Sequence, residues 1–82
     1  MVEVDASIRD DVHILVEVKA QATRWDVAEM KRIGALYERQ RGVKPRLVIV
    51  AGFIDPEAIE LAAKLGVELK PAIKEGYGVR IP

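Results

Sequence analysis

The sequence predicts an α/β fold in the order strand, strand, helix, strand, helix, strand, and three observations carry it. Residues 2–19 alternate apolar and polar with a period of two, which is the mark of strands with one buried face. Two segments are bracketed by helix start and stop chemistry: Thr23 to Gly42, and Asp55-Pro56 to Gly66. Between them runs Arg46-Leu47-Val48-Ile49-Val50-Ala51, a continuous apolar stretch that reads as a strand buried on both faces.

The first two strands, residues 2–8 and 12–19, form an antiparallel hairpin. Val2, Val4, Ala6, Ile8, Val12, Ile14, Val16 and Val18 occupy even positions, whereas Glu3, Asp5, Ser7, Arg9, Asp11, His13, Glu17 and Lys19 occupy odd ones. Leu15 is the exception on the odd side. Residues opposite each other in a ladder share a face. If both apolar sets share one face, paired numbers sum to an even value, which predicts a three-residue loop at Arg9-Asp10-Asp11. That register gathers Glu3, Asp5, Glu17 and Lys19 into one polar patch.

Thr23 is an N-cap, with Asp26 completing a capping box, and the helix runs over 24–41 to Gly42. Val27, Met30, Ile33, Gly34 and Tyr37 form its core stripe. A second stripe, Trp25, Arg32, Leu36 and Arg39, suits a face covered by a subunit or a further element, a nucleic-acid contact, or plain exposure, with a Trp25–Arg32 cation–π stack in the first two cases. Lys31, Arg32, Arg39, Arg41, Lys44 and Arg46 make this the most basic region, for which Glu29 and Glu38 are ready partners. The strand over 46–51 pairs in parallel with its neighbour, because a helix joins them. Gly52-Phe53-Ile54 reads as a loop. Asp55 followed by Pro56 starts a second helix over 56–65, burying Ile59, Ala62 and Leu65. A short edge strand follows over 67–70. Residues 1–70 make the domain, and 71–82 read as an irregular tail that docks on a partner subunit.

Chain-wide properties narrow the function. Thirteen basic and thirteen acidic residues cancel over 82 residues, so any DNA contact must use a local basic patch. Absence of cysteine excludes disulfides and thiolate metal sites, and it fits a cytoplasmic protein. Richness in Glu, Lys and Arg is compatible with a thermophilic source. No membrane-spanning run, glycine-rich phosphate loop or serine–histidine nucleophile arrangement is present. His13 reads as a surface residue.

The chemistry concentrates in Leu15-Val16-Glu17-Val18-Lys19. Glu17 and Lys19 are two residues apart on one face, about 6–7 Å along the strand. Asp5, an eleven-residue gap, then Glu17-Val18-Lys19 resembles the PD-(D/E)XK nuclease superfamily, in particular its restriction-endonuclease-like members of unassigned function common in archaea. The resemblance covers residues 2–70 and implies a restriction-endonuclease-like core whose opening helix and first strand are missing. It implies Asp5 and Glu17 as ligands of Mg²⁺ or Mn²⁺, with the backbone carbonyl of Val18 as a third. Lys19 would place the nucleophile and neutralise charge at a DNA phosphodiester. Glu3 and Gln21 are supporting candidates; a strand-end role suits Gln21 better. The competing reading of the same residues is a cross-strand salt bridge on a solvated face.

Two functions follow. One is a metal-dependent nuclease acting on DNA. The other is a non-catalytic module that keeps the nuclease fold for dimerisation or nucleic-acid binding. The missing first strand leaves an open sheet edge, which invites a second subunit and a homodimer or higher oligomer. A fragment of a longer ATPase or repair protein is the remaining alternative.

Overall fold

The computed structural model describes residues 4–75 and 78–80. It contains strand β1 (Asp5–Arg9), strand β2 (Val12–Ala22), helix α1 (Arg24–Arg41), strand β3 (Arg46–Ile54), helix α2 (Pro56–Leu65) and strand β4 (Val67–Pro71). Two further strands follow, β5 (Ile73–Glu75) and β6 (Gly78–Arg80). The main sheet has the order β1-β2-β3-β4, with β1 antiparallel to β2 and the other two pairings parallel. β5 and β6 pair with each other as a separate antiparallel ribbon, so these described parts of the tail are strand where an irregular segment was expected.

The hairpin departs from the sequence expectation at its turn. Arg9 pairs with Val12, leaving a two-residue turn of Asp10 and Asp11. Both adopt left-handed backbone angles, φ 51° and 65°. Two successive positive φ values mark the turn whose twist matches that of paired strands, and aspartate tolerates this region better than most side chains. Paired numbers therefore sum to an odd value: Asp5 with Val16, Ala6 with Leu15, Ile8 with His13. The apolar positions of β1 consequently share a face with the odd positions of β2.

Both helices lie against that face. Each β-α-β crossover runs the same way along the sheet, so right-handed connections place α1 and α2 on one side, in contact with each other. The core forms there from Leu15, Leu47, Ile49, Ala51 and Val67 of the sheet and Val27, Met30, Ala58 and Ala62 of the helices, with Val4 packed at its margin. Burying these side chains is the main driving force, about 1.5–3 kcal/mol for each large one. The core face of β2 is thus the odd one, reversing the expectation. Ile14, Val16 and Val18 point to the opposite side, in register with Arg46, Val48 and Val50. Val18 is 63% exposed.

The helices form where their chemistry indicates. The Thr23 hydroxyl accepts from the Asp26 amide and Asp26 accepts from the Thr23 amide, a reciprocal box. Gly42 (φ 72°) closes α1 in the left-handed conformation. Gly34 lets α1 approach β3: a Cβ there would lie 2.7 Å from Leu47 Cδ2. In α2, Ala58 and Ala62 are buried, with Leu61 and Leu65 packed beside them, whereas Ile59 is 56% exposed. Ile59 falls off the core stripe because the contact runs through small alanines, which let α2 sit close. β3 continues through Gly52-Phe53-Ile54, because β2 itself extends to Ala22 and offers Phe53 and Ile54 partners in Gln21 and Ala22.

Candidate active site

Glu17 and Lys19 project from β2 toward the helices, near the start of α1. Glu17 is 6% exposed, an acid set into the core face between Leu15 and the α1 N-terminus. Burial pushes its carboxyl above the usual range; Lys19 counters this, while Asp26 and Glu29 add to it. Of the two neighbouring acids, Asp26 is paired with Lys19 and Glu29 with Arg32, whereas Glu17 has no ion pair of its own among the described residues.

Lys19 is held by Asp26. Its Nζ lies 2.9 Å from Asp26 Oδ1. The other oxygen, Oδ2, accepts from the Thr23 amide at 2.8 Å and the Thr23 hydroxyl at 2.9 Å. Asp26 is 5% exposed. Burial pushes it up, but the hydrogen bonds from Lys19 and Thr23 outweigh this and hold it below the usual carboxylate range. Lys19 responds in kind: the hydrogen bond to Asp26 raises its affinity for the proton against the effect of burial. One turn further along α1, Glu29 pairs with Arg32, its Oε1 accepting from Arg32 Nε at 3.1 Å.

The remaining sequence-predicted residues are placed as follows. Asp5 stands opposite Val16, on the face away from Glu17 and Lys19. The odd-sum register therefore does not bring the two carboxylates together, and this corrects the four-residue patch expected from an even-sum ladder. Glu3 lies outside the described residues. Gln21 donates from Nε2 to Asp55 Oδ1 at 2.8 Å, while Asp55's amide donates to the Ala22 carbonyl at 3.0 Å. Gln21 thereby fastens the end of β2 to the start of α2, and Asp55 makes no side-chain cap. Trp25, Arg32, Leu36 and Arg39 are exposed on α1, with Trp25 64% accessible. Arg32 is engaged by Glu29, and the cation–π contact falls elsewhere, with Arg41 over the Tyr37 ring at 5.6 Å. His13 is half-buried beneath α1, its Nδ1 2.5 Å from the Tyr37 hydroxyl, because odd positions of β2 face the helices. Arg46 is paired to Glu68 through two hydrogen bonds, at 2.7 and 2.9 Å.

Asp26 is the participant that sequence reasoning read only as a helix cap. A partial signal for it exists: a lysine near a strand end, a single capping residue and an acid three positions later put the two charges close in sequence, and the direction in which α1 leaves the strand decides that they meet.

As a cation site, the donor set is oxygen-only and suits a hard divalent ion that keeps several waters. Among the described residues, no three acid, histidine or cysteine side chains stand close enough together to hold a metal.

The family model of the PD-(D/E)XK nuclease superfamily matches residues 1–68. The chain belongs to this superfamily. Among solved structures it is similar to EndoMS in its apo form, with a TM-score of 0.76 and 20% sequence identity. That match covers 89% of this chain and 33% of the other, so the chain spans about a third of the length of the structure it resembles. The likeness establishes a restriction-endonuclease-like fold: a mixed four-stranded sheet with two helices. No curated protein matches the chain. No helix among the described residues is long and apolar enough to cross a membrane.

Proposed function

We propose that this chain carries part of the active site of a metal-dependent nuclease that hydrolyses phosphodiester bonds of DNA. The observation that supports this most is Glu17: an acid held in the core face of a superfamily sheet, two residues from a lysine on the same side. In this reading Glu17 and the Val18 carbonyl are ligands of Mg²⁺ or Mn²⁺. When bound, the ion supplies an acidified water and neutralises charge at the phosphate. Lys19 orients the attacking water and donates to a phosphate oxygen as negative charge grows there. Asp5 would join Glu17 only after a one-residue shift of β1 along β2. Exposed Trp25, with Arg39 further along α1, offers a surface for DNA. A homodimer, or a longer chain in which this segment is embedded, covers the open edge of β1.

A second reading, a non-catalytic module retaining the fold, draws support from the placement of Asp5 on the far face. Calorimetric titration of Mn²⁺ and Mg²⁺ into the purified chain, with and without DNA, separates the two. We expect binding that disappears in Glu17→Ala and survives in Asp5→Ala, with DNA cleavage following the same pattern. Absence of binding at millimolar metal in the presence of DNA would establish the non-catalytic reading.

A further inference from the structure

We infer that Asp26 is a positioning residue for Lys19, an inference that rests on the nuclease reading above. A lysine side chain has four rotatable carbons and loses about 2 kcal/mol of rotamer freedom when fixed. Something rigid must hold it if its ammonium is to meet a reacting phosphate. Asp26 has the required geometry. Its Oδ2 takes both Thr23 donors, and its Oδ1 is left for Lys19 at 2.9 Å. Thr23 follows directly on Ala22, the last residue of the strand that carries Lys19. The strand, the cap and the first turn of α1 thus close a short loop of fixed contacts around the ammonium. Asp26 is buried, whereas the Lys19 side chain is 38% exposed. The anchor is therefore enclosed, and the held group keeps an open side for a substrate.

The residue type supports the same conclusion. A capping box ordinarily carries Glu or Gln at this third helical position. Aspartate is one methylene shorter, and here it serves the cap with a single oxygen. A glutamate would keep the cap but displace the carboxylate relative to Lys19. Capping alone therefore does not account for the aspartate.

Three variants separate positioning from helix stability: Asp26→Glu, Asp26→Asn and, at an exposed position in the middle of α1, Ala35→Gly, each compared with wild type and Lys19→Ala. Two quantities are read: kcat and KM for DNA cleavage, and the rate of pulsed acetylation of Lys19 relative to exposed Lys44, without metal, by peptide mass spectrometry. Both Asp26 variants should lose about tenfold or more in kcat with KM nearly unchanged, and Lys19 should be acetylated several-fold faster. Ala35→Gly should keep kcat within about threefold despite a weaker helix. Wild-type kcat in Asp26→Glu and Asp26→Asn, with Lys19→Ala inactive, would overturn the inference. So would a loss in Ala35→Gly as large as in Asp26→Glu. An inactive wild type would instead sink the nuclease reading, and an active Lys19→Ala the role given there to Lys19. Lys19 acetylation alone would then decide: faster in the Asp26 variants upholds positioning, and unchanged rejects it.

Discussion

Glu17 and Asp26 share one small space and titrate in opposite directions. Burial raises Glu17, so the folded chain holds its proton more tightly than the unfolded chain does. That contribution to stability is complete below the ordinary carboxylate value, about 4.3, and is lost as pH rises through the raised value of the folded state. Asp26 runs the other way. Its hydrogen bonds from Lys19 and Thr23 depress it, so its contribution is present above the ordinary value and fades as the solution becomes more acid. Glu17→Gln should therefore be more stable than wild type at neutral pH and lose that advantage toward about pH 4. Thermal unfolding across this range checks it. Added Mn²⁺ should stabilise wild type alone, narrowing the gap at pH 7, because the cation relieves the charge that Gln lacks.

At the scale of elements, the hairpin decides which residues meet. Its two turn aspartates both sit at positive φ and carry like charges side by side. Such a turn prefers Asn followed by Gly. The double change Asp10→Asn with Asp11→Gly should relieve local strain and raise stability by about 0.5–1 kcal/mol, measured by urea unfolding. A fall in stability would argue against the tight turn, and with it the odd-sum register. The turn also marks where sequence reading stopped being sufficient. The helix boundaries of α1 were legible because Thr23, Asp26 and Gly42 act on their own neighbours. The length of the turn was not, since aspartate fits both two- and three-residue loops. Glu17 and Lys19 on one side of β2 followed from a spacing of two, but the partner of Lys19 depended on how α1 leaves the strand.

For the whole molecule, the same kind of ambiguity governed which side of β2 is internal. Val12, Ile14, Val16 and Val18 outnumber Leu15 as apolar residues, yet the helices cover Leu15, Glu17 and Lys19. The choice rests on the handedness of two crossovers, which no local pattern encodes. The opposite side presents Val18, which is 63% exposed although Val48 and Val50 on the same face of β3 are buried. Under the homodimer proposed above, Val18→Lys should leave the fold intact while shifting sedimentation velocity profiles toward the monomer. Unchanged profiles would rule this face out as the subunit contact.

The central strand also sets an order of events during folding. On one side β2 joins a neighbour through a two-residue turn; on the other, Ile14 meets Arg46, 32 positions away. A hairpin closes in about 1–10 μs, whereas a parallel ladder must wait for the intervening helix to form and dock. Glu17 and Lys19 belong to both sides of that division. They lie on a strand whose hairpin can form early, yet Asp26 reaches them only once α1 has folded back. A nascent chain holding just its first hairpin would display the acid and the lysine without the architecture that gives them a task.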